Sequence, residues 1–208
     1  MARFSVQSVK KKYLAAFAIV CLLAGFTCVV LLNMHTVIPG QVYRSAQLPP
    51  VVLRQWVHFH GIRSELNLRG RNPQRAWYLS EIKAARDLGL VHYDIPLWKY
   101  YLPKPDQMRE LVRIINDSPK PLLLHCASGA DRSGLVSAMV LLLRGDSVAQ
   151  AKRQISWLYL AATEGTVGPK VLAQYAAWLQ SKHEKSSSKR FTEWVDSVYP
   201  ASFGAVKG

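Results

Sequence analysis

Cysteine is scarce in this sequence. There are three among 208 residues, and two of them, Cys21 and Cys28, fall within one apolar run. Only Cys126 remains elsewhere, so the rest of the chain cannot close an internal disulfide, and no metal-type Cys/His spacing surrounds it. Acidic residues are also few, 13 against 27 Lys and Arg. The net charge of +14 excludes a strongly acidic chain and favours anionic partners: phosphates, anionic lipid or nucleic acid. No zinc finger, RNA-binding signature or basic heptad region accompanies the charge, which argues against nucleic acid. Internal repeats are absent. Half the residues are apolar, enough for a folded core rather than a disordered chain.

The one long hydrophobic run is Tyr13 to Leu32, without a charge, preceded by Lys10, Lys11 and Lys12. Twenty helical residues rise about 30 Å, the thickness of a bilayer core. The run predicts a transmembrane helix over 13–32 after a basic segment, 1–12. The positive-inside rule then expects a single-pass membrane protein, with the N-terminus cytoplasmic and the following domain periplasmic or otherwise extracytoplasmic. A cleaved signal peptide would need a shorter apolar region and a small-x-small site, which Val29 to Asn33 does not offer. A buried core helix is the third reading; the lysine block and the length argue against it. Cys28 is out of register for lipid modification.

Beyond the run, residues 33–42 read as a linker punctuated by Pro39-Gly40. Periodicity and breakers then predict helices over 51–60, 74–88, 105–116, 133–143, 147–159 and 169–183. Strands are expected over 62–68, 90–95 and 121–125. This alternation indicates an α/β layered fold, with a main domain over 43–183. Residues 184–208 read as a polar, flexible tail, Glu184 to Arg190, followed by a short aromatic segment, Phe191 to Tyr199, with a short helix.

Chemistry concentrates at His125-Cys-Ala-Ser-Gly-Ala-Asp-Arg-Ser-Gly134. A cysteine after a buried strand, six residues before an arginine that opens a helix, sits where open α/β sheets bind ligands. The loop amides of Ala127, Ser128, Gly129 and Ala130 can converge on an anion, with Gly129 free to take unusual φ/ψ values. Arg132 adds a two-pronged donor suited to phosphate oxygens. The same field lowers a thiol pKa and favours the thiolate nucleophile. The Ser133 hydroxyl can bond that thiolate. No metal and no cofactor is required.

The His-Cys-x5-Arg-Ser pattern resembles the signature of the cysteine-dependent protein tyrosine and dual-specificity phosphatases. Val42-Tyr-Arg-Ser-Ala-Gln47, Gly61 to Arg69, and Tyr93-Asp-Ile-Pro-Leu97 stand in the order of the small bacterial and atypical dual-specificity members. The resemblance spans roughly 40–180. It implies a central, mostly parallel sheet flanked by helices, and hydrolysis of phosphate monoesters through a phosphocysteine. The implied substrate is a phosphorylated protein or a phosphorylated lipid, and anchorage with a basic surface points to an envelope lipid. The competing class is a phosphate-binding pseudophosphatase module with little turnover.

The general acid is left open. The family places an Asp after the strand that ends here at Ile95-Pro96, but Leu97 to Pro105 holds no acid. Asp131, beside Arg132, is the first candidate. Asp106 is the second, although an Asp after Pro at a helix start commonly caps that helix. Asp94 is the third. Arg69 is expected either to add a second positive group near the phosphate or to face solvent. His125 is expected to pack behind the loop. Trp98, Tyr100 and Tyr101 either wall the entrance or cover the core.

Overall fold

The computed structural model describes residues 13–15, 17 and 32–205. Five strands form one sheet: β1 (His35–Ile38), β2 (Val42–Ser45), β3 (Ser64–Asn67), β4 (Val91–Asp94) and β5 (Leu122–His125). Their order is β1-β2-β5-β3-β4. Only the edge pair β1–β2 is antiparallel; β2, β5, β3 and β4 run parallel. The α/β expectation therefore holds, with a mixed sheet.

The central strand is continuously apolar, Leu122-Leu-Leu, because both of its faces are covered. Leu122 and Leu124 point toward α3 (Pro105–Asp117) and α4 (Asp131–Arg144), against Met108, Leu111, Leu135 and Met139. Leu123 points the other way, toward Tyr43, Leu53 and Ile62 beneath α1 (Pro50–His60) and α2 (Ala76–Asp87). Period-two alternation thus divides one strand between two cores. The parallel crossovers deliver the carboxyl ends of β2, β3, β4 and β5 to the same edge, which is where the phosphate loop emerges.

Three expectations change. Residues 35–38, read as linker, form β1, turned back onto β2 at Gly40, which adopts φ +69°. The helix expected over 147–159 is shorter: α5 (Val148–Lys152), capped by Ser147, then a single 3-10 turn at Trp157–Tyr159. The polar tail is anchored: Arg190 pairs with Glu184 and Glu193. Phe191, Trp194, Val195 and Tyr199 are buried against α6 (Val167–Ser181) and its neighbours, across α7 (Ser188–Glu193), a π turn at Trp194–Val198 and α8 (Tyr199–Ala205).

The membrane-spanning reading does not stand. Among the described residues no helix is long and apolar enough to cross a membrane. The run 13–32 and the basic segment before it lie almost wholly outside the described residues. The expected single-pass topology, with a cytoplasmic N-terminus and an extracytoplasmic domain, is set aside accordingly.

Candidate active site

Cys126 follows β5 directly, and Asp131 begins α4, so the loop 126–130 joins the carboxyl end of a central strand to a helix N-terminus. Its carbonyls from residue 127 onward are bonded outward. Ala127 O accepts from the Gln47 amide at 3.3 Å. Ser128 O accepts from Asn33 Nδ2 at 2.9 Å. Gly129 O and Ala130 O both accept from Arg44 Nη2, at 2.7 and 3.1 Å. A peptide is planar, with its C=O and N–H on opposite sides. Fixing four successive carbonyls outward therefore turns the following amides into the bowl, and a nest of amides binds anions.

Arg44 is fully buried on β2. Its Nη1 donates to Gln154 O at 2.8 Å and to Gln154 Oε1 at 3.1 Å, and its guanidinium lies 4.2 Å from the centre of the Tyr159 ring. Burial lowers its pKa to about 10, so it remains cationic at neutral pH beneath the loop. Gly129 adopts φ +68°, and a Cβ there would stand 2.6 Å from Ala46 N and from Ser45 C. No other residue type fits this contact between loop and β2.

The Cys126 thiol is buried, which on its own pushes its pKa up. The Arg132 charge, the Ser133 hydroxyl and amide and the Ser128 amide outweigh burial and lower it below the usual thiol range. Ser133 Oγ is buried and, among the described residues, has no other partner than the sulfur. Arg132 itself bonds Leu97 O at 3.4 Å.

The candidate acids separate clearly. Asp131, nearly buried, accepts from the Ala162 amide at 3.0 Å and pairs with Lys99 at 3.4 Å, so it touches the loops on both sides of the bowl. Asp106 lies in the first turn of α3, 96% exposed, paired with Arg109 at 2.9 Å. Asp94 is engaged by Asn67, His92 and Tyr78. Arg69 borders the bowl: it bonds Gln47 Oε1 at 3.0 Å, lies 3.4 Å above the Trp77 ring, and shares a cavity of about 480 Å³ with Ala127 and Arg132. Arg75, Trp77 and Asn72 also line that cavity.

Behind the loop, His125 Nε2 stands 3.4 Å from Glu81 and 3.7 Å from Glu65. Glu65, Glu81 and His125 form a group with metal-type donor atoms within 4.8 Å of one another. Burial works against a charged His125, but the Glu81 hydrogen bond and the Glu81, Glu65 and Cys126 charges raise its pKa. His125 Nε2 lies within ion-pair distance of both carboxylates, and the group reads as buried ion pairs.

A family described as a dual-specificity, protein-tyrosine-type phosphatase fused to NAD+ kinase matches residues 38–183. The chain belongs to the cysteine-dependent dual-specificity phosphatase superfamily. It is a phosphoric monoester hydrolase. Three solved dual-specificity phosphatase structures are similar to it. The core catalytic domain of the PP-IP phosphatase Siw14 of S. cerevisiae, in complex with citrate, shares 14% identity over 73% of this chain and 93% of that one, with a TM-score of 0.56. Tk-PTP, solved in a mutant form, shares 20% identity over 71% and 97%, TM-score 0.56. PTPMT1 in complex with PI(5)P shares 13% over 72% and 98%, TM-score 0.55. At these identities the likeness is one of fold. No curated protein matches the chain.

Arg44, Asn33, Gln47, Lys99 and Arg75 were not among the residues the sequence marked for the site. Arg44 is the one charged residue of a short strand, Val42–Ser45, whose burial only the structure reveals.

Proposed function

We propose that Cys126 is the nucleophile of this phosphatase and that Arg132, with the amides of residues 127–131, binds the phosphoryl oxygens. The observation that carries the reading is the loop's outward-bonded carbonyls around a thiol of lowered pKa. The Cys126 thiolate attacks phosphorus, an S–P bond forms, and the P–O bond to the leaving group breaks with its electron pair on oxygen. Asp131 protonates that oxygen. Water then attacks the phosphocysteine, Asp131 accepts its proton, and the S–P bond breaks to restore the thiolate. Arg132 and the amides stabilise equatorial charge throughout. Ser133 bonds the sulfur as it leaves.

Asp131 takes the acid role because, of the three candidates, it alone adjoins Arg132 at the end of the loop, with its carboxylate held by Ala162 and Lys99. The test is phosphate release from an aryl phosphate by the full chain and by Cys126→Ser. Turnover lost in the variant supports the nucleophile; a folded wild type without turnover favours the phosphate-binding module instead.

A phosphorylated lipid is the substrate reading favoured by one further observation. Trp98, Tyr100, Tyr101, Trp157, Leu158 and Leu160 are all exposed. They lie on the two loops tied to the bowl by Lys99–Asp131 and by Asn33, which bonds both Ser128 O and Tyr159 O. Exposed aromatic and aliphatic side chains around a cationic mouth suit a headgroup presented at an apolar interface. PTPMT1, one of the structural neighbours, was solved with PI(5)P. Turnover of a phosphorylated lipid that exceeds that of a phosphopeptide would support this reading, and the reverse order would sink it.

A further inference from the structure

Arg69, Arg75 and Arg132 line one cavity beside the loop, together with Asn72, Trp77 and Ala127. Among the described residues, none of the three arginines lies within ion-pairing distance of a carboxylate. They act on one another instead. Burial lowers the Arg69 pKa, and the charges of Arg132 and Arg75 lower it further, against the opposing pull of Glu81 and Cys126. Three guanidinium groups held together without a paired counter-charge are costly unless an anion joins them. One phosphoryl group is already served by Arg132 and the loop amides.

The rest of the site is equally cationic. Arg75 stands at the N-cap of α2, whose first turn carries no acid and whose cap receives no side-chain bond. The positive end of a 12-residue helix is thus left uncompensated at the cavity wall. Arg69 is fixed rather than loose, stacked on Trp77 and bonded to Gln47, and Asn72 braces the turn by donating to Gly70 O at 2.7 Å. The cavity of about 480 Å³ exceeds what a single phosphate needs and falls in the range of about 300–1,000 Å³ typical of small-ligand pockets.

We infer that Arg75 and Arg69 form a second anion subsite, which selects phosphate monoesters carrying another phosphate on the same small polyol. The inference rests on the phosphatase reading above. The polyol can be free or a lipid headgroup; the recognising chemistry is the same. A phosphotyrosine peptide, with one phosphate on an apolar ring, leaves the subsite unused.

The test compares kcat/KM of the full chain for five probes: an aryl phosphate, a phosphotyrosine peptide, a soluble inositol monophosphate, a soluble inositol bisphosphate with adjacent phosphates, and that same headgroup on a short-chain diacylglycerol. Wild type is expected to prefer both bisphosphates over the monophosphate by about tenfold or more. In Arg75→Ala the bisphosphate-to-monophosphate ratio falls by about 10- to 100-fold, the scale of a lost charge-assisted contact. The loss sits mainly in KM, and Arg75→Lys recovers part of it. An unchanged ratio in folded Arg75→Ala, with aryl phosphate still turned over, overturns the inference alone. A fall confined to the lipid probe also overturns it, since Arg75 would then be reading the lipid surface. Faster turnover of a phosphotyrosine peptide than of either bisphosphate does the same. A wild type inactive on aryl phosphate would instead remove the phosphatase reading beneath it.

Discussion

Arg44 Nη2 donates to Gly129 O at 2.7 Å, joining a fully buried cation on β2 to the midpoint of the phosphate loop. The same nitrogen reaches Ala130 O, so one side chain fixes two of the four outward carbonyls. The bowl's shape therefore depends on a residue that never meets the substrate.

Removing that support should be severe. Arg44→Ala leaves the carbonyls of Gly129 and Gln154 without their guanidinium partner, and each unpaired buried group costs about 1–3 kcal/mol. Arg44→Lys keeps the charge but cannot serve Gln154 and Gly129 together. Where Arg44→Lys folds, kcat should fall by about tenfold or more while Tm drops only a few degrees. A variant with wild-type kcat would show that the loop holds its shape unaided.

Gly129→Ala meets two obstacles, a left-handed φ that costs about 1–2 kcal/mol for a side-chain-bearing residue and a clash with the β2 backbone. Activity should fall steeply, and phosphate protection against thiol alkylation should vanish. Gly145→Ala, which has a positive φ but open space around it, supplies the control: a similar backbone penalty without loss of phosphate binding.

Asp131→Asn separates proton transfer from packing, since the amide oxygen still accepts from Ala162. Turnover of alkyl phosphates should drop by about 10²-fold or more, with a much smaller loss on aryl phosphates whose leaving groups need no proton. Equal losses on both would assign Asp131 to loop positioning instead.

The thiol should titrate low. Alkylation of Cys126 by iodoacetamide should have its midpoint below the usual thiol range, because Arg132 and Ser133 favour the thiolate more than burial disfavours it. Ser133→Ala should shift the midpoint upward. A midpoint at the ordinary thiol value would contradict the field assigned to the loop.

Burial works to lower the His92 pKa, but Asp94 and Glu65 outweigh it and hold it at about 10. A folded-state value raised above the unfolded one contributes stability that is full below the unfolded pKa and is lost as pH rises through the folded one. Tm should therefore decline between about pH 6.5 and pH 10, and the decline should be shallower in His92→Gln. Parallel curves for the two proteins would exclude His92 as the source.

Much of this was legible in the residues. Leu122 to Ser133 reads as strand, anion loop and helix because each part has a local cause: an apolar run, a glycine at the tight contact, an arginine at the right separation. The parts that were missed depend on distant contacts. Arg44 gains its meaning from Gln154 and Gly129, 110 and 85 residues away. Strand β1 is four residues long and owes its form to pairing with β2. A short helix was legible in the C-terminal segment, but its burial was not: Phe191, Trp194, Val195 and Tyr199 stand at helical spacing, behind a polar stretch that reads as a flexible tail. The apolar run at 13–32 reads as a span by length and hydropathy; it lies almost wholly outside the described residues, among which no helix is long and apolar enough to cross a membrane.

The most direct test is to trap the covalent intermediate. The full chain is mixed with a rapidly reacting aryl phosphate, quenched in acid and digested, and the peptide spanning Cys126 is weighed by mass spectrometry. One added phosphoryl group on Cys126, absent from Cys126→Ser and from unreacted protein, is the expected result. Phosphate release that proceeds at full rate in Cys126→Ser, or a phosphoryl group found on any other residue, would contradict the account.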